Sequence, residues 1–100
     1  MHIEVFRYRV DPAHQDEFDA LYEEMAGLVA GLKGYIGHKV YTADDGEKLL
    51  VGQFEDFATV EEWDKHPAHK RAKERGKEAV FLEYEVMVGD VVEHHKSSRS

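Results

Sequence analysis

Phe18-Asp19-Ala20-Leu21-Tyr22-Glu23-Glu24-Met25-Ala26-Gly27-Leu28-Val29-Ala30-Gly31-Leu32 carries the clearest pattern in the chain. Phe18, Leu21, Tyr22, Met25, Leu28, Val29 and Leu32 recur at steps of three and four, one apolar stripe of an amphipathic helix. Asp16, Glu17, Asp19, Glu23 and Glu24 load its N-terminal half with negative charge, which suits the helix dipole. Asp11-Pro12 opens the helix, because Asp caps well and Pro fits a first helical position. Gly34 is expected to close it. Upstream, residues 2–10 carry Ile3, Val5, Phe6, Tyr8 and Val10 among charges and read as a strand. Downstream, Tyr35 to Thr42 and Glu47 to Glu55 flank Ala43-Asp44-Asp45-Gly46, a hairpin signal. A short helix from Asp56 to Asp64 holds Phe57, Val60 and Trp63, with Asp56 or Thr59 as its cap. Pro67 ends that piece and starts a basic helix over His66 to Lys77. Phe81 to Val92 reads as a last, long strand.

Strand, helix, strand, strand, helix, strand is the β-α-β-β-α-β order of a ferredoxin-like α+β domain, an antiparallel sheet with its helices on one face. Residues 1–92 make this one domain, and residues 93–100 are expected to form a flexible tail. A sheet covered on one face should alternate apolar and polar residues. Here both faces carry apolar side chains. Leu49 and Val51 oppose Leu50 and Phe54; Ile36 and Val40 oppose Tyr35 and Tyr41; Phe81 and Met87 oppose Leu82, Tyr84, Val86 and Val88. A second layer is implied, and a second copy of the chain packed sheet to sheet supplies it, so a homodimer is expected.

Composition narrows the function. The 100 residues carry 13 basic and 21 acidic side chains, a formal charge of −8 that argues against nucleic acid or an anionic membrane as partner. There is no cysteine, so disulfides, thiol chemistry and iron–sulfur clusters are excluded. No apolar run approaches the roughly 20 residues of a membrane span, and the charged N-terminus is no signal peptide. A cytoplasmic protein is expected.

The acidic helix opened by Asp11-Pro12, the hairpin, and above all Trp63-Asp64-Lys65-His66-Pro67-Ala68-His69 resemble the antibiotic biosynthesis monooxygenase family of dimeric α+β barrel proteins over residues 1–92. The resemblance implies a homodimer with facing sheets and a cavity between each sheet and its own helices. It implies a cofactor-independent monooxygenase using O2 on a small aromatic or quinone-like metabolite, or else a non-catalytic dimeric binder of a hydrophobic metabolite or haem. The haem-degrading branch pairs its Trp with an Asn on the first strand and a His further along. This chain has Trp63 but no Asn, and Lys73 stands where that His would be, which disfavours haem. No cofactor is expected. The Asn is also missing for the oxygenase branch, and only Trp63 carries over to it.

Oxygenation without a cofactor needs a base beside an acidic C–H, donors near the forming oxyanion, and an apolar surround. Trp63, His69 and His66 are the candidate catalytic residues. Trp63 serves as an aromatic wall or as a core anchor. His69 shares a helical face with Ala72 and Gly76, small residues that let the helix approach the sheet; its ring is a base or a structural hydrogen-bonding group. His66 beside Pro67 is a base or a cap. Tyr8, Phe6, His38 and Tyr84 are candidate substrate contacts on the strands, with packing as their alternative role. Arg7 and Arg9, on the opposite face from Tyr8, can meet Glu83 or Glu85 across a strand pair or across the dimer. Glu62, His66 and His69, or His94-His95, make only an incomplete metal set, and no metal is expected. Lys65, Lys70, Arg71, Lys73, Arg75 and Lys77 crowd one helix, as a solvated face with pairs such as Lys70–Glu74 or as an anion-steering rim.

Overall fold

A computed structural model describes residues 1–99. Its elements are β1 (His2–Val10), α1 (Gln15–Val29), β2 (Tyr35–Thr42), β3 (Lys48–Phe54), α2 (Phe57–Lys65), α3 (Pro67–Arg75), a wider π-helical turn (Gly76–Val80) and β4 (Phe81–Asp90). The strands form one antiparallel sheet in the order β2-β3-β1-β4, the ferredoxin-like arrangement. Val91 to Arg99 form neither helix nor strand, so the last strand stops before Val92; Ser100, the end of the expected tail, lies outside the described residues. Among the described residues no helix is long and apolar enough to cross a membrane.

Local chemistry explains the starts. The Asp11 carboxylate accepts from the Ala13 N–H at 3.0 Å, and Pro12 opens a 3-10 turn, Pro12–His14, that leads into α1. Asp56, not Thr59, caps α2: its Oδ1 accepts from both the Thr59 N–H and the Thr59 hydroxyl at 2.9 Å. At the hairpin, Gly46 N–H donates to the Ala43 carbonyl, and Gly46 takes φ +90°, a value that favours glycine.

Gly34 does not end α1. The helix stops at Val29, and the chain unwinds through short-range bonds from Gly31 N–H to Leu28 O and from Leu32 N–H to Val29 O. Gly34 instead lies against α2, where a Cβ would stand 1.9 Å from Thr59 Oγ1 and 2.9 Å from Thr59 Cβ. Glycine is required there by close approach.

Two bulges alter which residues share a face. Ile36 is the extra residue of a bulge in β2, so Tyr35 lies in register with Phe54 and His38 with Gly52. Tyr35, His38 and Val40 therefore face the helices together, and Ile36 does not join them. A second irregularity sets Val10 opposite Phe81, skipping Leu82. Phe81 accordingly packs on Phe6, Tyr8 and Phe18, on the side of Tyr84 rather than of Met87. Straight alternation misassigns both Tyr35 and Phe81.

The core gathers Val29, Phe54, Val60 and Trp63, with Met25, Leu32 and Tyr35 against it. Phe57, at the start of the Phe57–Val60–Trp63 stripe, is half exposed and tilts onto His2 instead. The helices cover the β2-β3-β1 side more fully than the edge strand, for Tyr84, Val86 and Val88 remain 42–48% exposed although they face the helix side. On the opposite face, Val51, Val5 and Met87 form one row across the sheet. Beside them Arg7 meets Glu47 and Glu85, and Arg9 meets Asp45 and Glu83. The Gly34–Thr59 contact sets how closely α2 packs, so Gly34→Ala is expected to cost about 1–3 kcal/mol of stability in chemical denaturation, the usual range for overpacking.

Candidate active site

Between the helix side of the sheet and α1 and α3 lies an open cavity of about 520 Å³. Phe6, Leu50 and Gly52 supply its floor, Phe18 and Met25 its α1 wall, and Tyr84 its outer edge. Arg75 on α3 grips Glu17 on α1 with two hydrogen bonds of 2.6 and 2.8 Å, joining the two helices. This pairing holds the Glu17 carboxyl below its ordinary range.

Trp63 is 7% exposed and belongs to the core, yet it also lines the cavity. His69 stacks on it, with ring centroids 4.2 Å apart and planes 12° from parallel. His69 Nδ1–H donates to the Trp63 carbonyl at 3.0 Å. A carbonyl only accepts, so this bond fixes the neutral tautomer and leaves the lone pair on Nε2. Burial pushes the His69 pKa down, and the nearby Lys73 and His66 add to that; the Trp63 hydrogen bond and Asp64 oppose it. His69 lines the cavity as an unprotonated imidazole near neutral pH. Gly76, just past the end of α3, lets the chain close onto the sheet, since a Cβ there would stand 2.7 Å from the Phe81 ring.

His66 does not line the cavity. It joins two helices: its backbone N–H donates to Trp63 O, and its Nδ1 accepts from the Ala68 N–H at 3.1 Å. Tyr8 is 3% exposed under Phe18 and Phe81 and also lies outside the lining, and burial pushes its phenol up to about 12. Phe6, Tyr84 and His38 do line the cavity. Both ring nitrogens of His38 are engaged, Nε2 with the Tyr22 hydroxyl at 2.8 Å and Nδ1 with the Tyr35 hydroxyl. Neutral His38 accepts from one phenol and donates to the other.

Several lining residues escape a reading of the sequence alone. Tyr22 and Tyr35 read there as helix-stripe and strand residues, and the β2 bulge brings Tyr35 round to His38. Glu4 lines the cavity and has its pKa raised, by burial first and by Asp64 next, with Lys73 opposing. The signal for it was parity: Glu4 alternates with Phe6 and Tyr8 on the buried side of β1. Lys70, Lys73 and Lys77 line the mouth at helical spacing, Lys73 bonded to the Asp64 carboxylate at 3.3 Å. The pairing of α3 differs from the expected Lys70–Glu74, since the ion pairs are Lys73–Asp64, Arg75–Glu17 and Arg75–Glu78. Among the described residues no three His, Asp or Glu side chains converge as a metal site.

Comparison with known proteins bears on this architecture. A family model described as antibiotic biosynthesis monooxygenase matches residues 1–75. The uncharacterized protein YqjZ of Bacillus subtilis (strain 168) is 29% identical over 69 residues, 69% of this chain and 60% of that protein. The match thus spans less than two thirds of that relative's length. Rv0793 of Mycobacterium tuberculosis superposes with a TM-score of 0.81 at 17% identity, over 95% of this chain and 98% of its own. SnoaB of Streptomyces nogalater, a cofactor-independent oxygenase, superposes with a TM-score of 0.76 at 15% identity, over 93% and 94%. At such identities these likenesses concern the fold.

The His69 environment has a direct consequence in solution. A folded pKa below the ordinary 6.5 means His69 stays neutral above that value, and its contribution to stability is lost as pH falls from 6.5 through the depressed folded pKa. Ring NMR is expected to show His69 protonated on Nδ1 when neutral and titrating below 6.5. A midpoint at or above 6.5 contradicts the assignment.

Proposed function

The chain belongs to the antibiotic biosynthesis monooxygenase family, and from that premise we propose that it oxygenates a small aromatic or quinone-like metabolite with O2 and no cofactor. The carrying observation is the His69 imidazole, neutral, oriented by the Trp63 carbonyl and set in a largely apolar cavity. His69 Nε2 takes a proton from an activated ring C–H, and the electron pair stays on the substrate as an enolate. The enolate carbon gives its electrons to O2 and forms a C–O bond, the resulting peroxide takes back the proton held by His69, and loss of water leaves a carbonyl: CH2 plus O2 gives C=O plus H2O. Trp63 holds the imidazole by stacking, and burial of the site strengthens each polar contact within it. Phe6 and Tyr84 offer aromatic surfaces to the ring, and His38, held by the Tyr22 and Tyr35 hydroxyls, adds a further ring to the lining. His66 and Tyr8 support these groups from outside the cavity.

The haem alternative finds less support. Position 73 holds an ammonium bonded to Asp64 rather than an imidazole, so the residues do not fit the ligand set that the resemblance implies. The partner we propose is a second copy of the chain. Val5, Val51, Leu49 and Met87 leave the sheet face away from the helices apolar and uncovered, with Met87 half exposed.

Two measurements test this reading. Metal-stripped protein is expected to accelerate oxygen uptake by an anthrone or a quinol well above autoxidation. His69→Gln should cut that rate about 100-fold, the typical worth of a general base, and Trp63→Phe should lower it less. In wild type the rate should fall on the acid side as His69 protonates. Tight binding of the anthrone without oxygen uptake would point to the binding-domain alternative. In sedimentation, the wild-type chain is expected to run as a dimer and Val51→Lys as a monomer; a monomeric wild type contradicts the sheet-to-sheet partner.

A further inference from the structure

One row of residues crosses the cavity floor: His38 on β2, Gly52 on β3, Glu4 on β1 and Val88 on β4 stand in register. Gly52 leaves a gap in that row between an acid and a histidine. A Cβ built there meets only ordinary contacts, at 3.6 Å from Phe54, 3.7 Å from Leu50 and 3.9 Å from Glu4, so nothing steric requires glycine. The missing side chain makes room. With strands about 4.8 Å apart, Glu4 and His38 flank a seat roughly one aromatic ring system wide.

Glu4 is a partly buried acid in a largely apolar lining that also holds Phe6, Val86 and Met25, and no group among the described residues hydrogen-bonds its carboxyl, which is left open toward the cavity. We propose that Glu4, in its protonated form, is the hydrogen-bond donor to the oxyanion of a flat phenolic or enolic ligand seated over Gly52. His69 on the α3 wall is then the base, and Glu4 on the floor is the acid. As His69 removes the C–H proton and negative charge develops on the substrate oxygen, the Glu4 proton is shared with that oxygen or passes to it, giving the enol and the Glu4 carboxylate. This inference rests on the reading of the cavity as a site for an acidic aromatic compound.

Electrostatics agree with the geometry. The same surroundings favour the uncharged form of each group, moving the His69 pKa down and the Glu4 pKa up. The groups facing Glu4 are Asp64 at the end of α2, Lys73 and His69 on α3, Tyr22 on α1 and His38 on β2; His2 is its nearest neighbour on the same face of β1. Asp64 raises its pKa and Lys73 lowers it, with burial outweighing both.

The test uses 2,4-dinitrophenolate as probe, a phenol acidic enough to stay ionised while Glu4 titrates, followed by absorbance without any need for oxygen, alongside carboxyl-carbon NMR of Glu4. Glu4 is expected to titrate above its ordinary 4.5. Dinitrophenolate affinity should fall as pH rises through that midpoint, because the donor is lost. Glu4→Gln keeps a neutral donor and should bind dinitrophenolate without that fall. Glu4→Leu should bind about tenfold or more weakly, the worth of a hydrogen bond to a charged group. Gly52→Ala should weaken binding while leaving thermal melting unchanged. Glu4 titrating at or below 4.5, equal affinity in Glu4→Leu and wild type, or no dinitrophenolate binding by wild type each overturns the inference. Dinitrophenolate binding through Glu4 in a protein that consumes no oxygen would leave the inference standing and remove the oxygenase reading.

Discussion

The Trp63 carbonyl oxygen accepts two hydrogen bonds, from the His66 backbone N–H and from His69 Nδ1–H. It stands where α2 ends and Pro67 forces a new helix to begin. The helix break frees the carbonyl, and the next helix returns a histidine side chain to it. At the same residue, the indole is buried with Val29, Phe54 and Val60, and His69 stacks on it. Core and cavity therefore share one side chain. The alternatives of anchor and cavity wall for Trp63 are not exclusive: the ring performs the first role and contributes to the second.

The rest of the site follows from how little helix this short chain has. Three helices face four strands, and their cover thins toward β4, where Tyr84, Val86 and Val88 stay partly exposed. The space left between α1, α3 and the sheet is the cavity, bridged by the Arg75–Glu17 pair. That pair is partly exposed, so its worth is small beside the packing beneath it. Within the cavity Glu4 sets a partly buried acid on a largely apolar floor. Such departures collect where a protein uses them.

The fold was largely legible because it rests on periodicities. The stripe of α1, the Asp-Gly hairpin and the strand order need only spacing to be read. The departures have local causes. Gly34 was read as a helix end, whereas Thr59, distant in sequence, is what demands it. The bulges at Ile36 and next to Phe81 insert one residue each, and a period of two cannot survive an insertion. Tyr35 thus came to His38, and Phe81 to Phe6, unannounced. In the site, His69 was reachable from its spacing with Ala72 and Gly76. Glu4 was visible in the alternation of β1, but in sequence it reads as one more charge in a strand full of them; only the cavity above it tells it apart.

On the proposed reading, this cavity carries an oxygen atom from O2 into a bound aromatic ring with its own side chains alone. Single turnover of the metal-stripped protein with an anthrone under isotopically heavy O2, read by mass spectrometry of the product, follows that atom. One heavy oxygen atom is expected in the product carbonyl for each O2 consumed. An unlabelled product, or hydrogen peroxide released in place of labelled product, would overturn the oxygenase proposal.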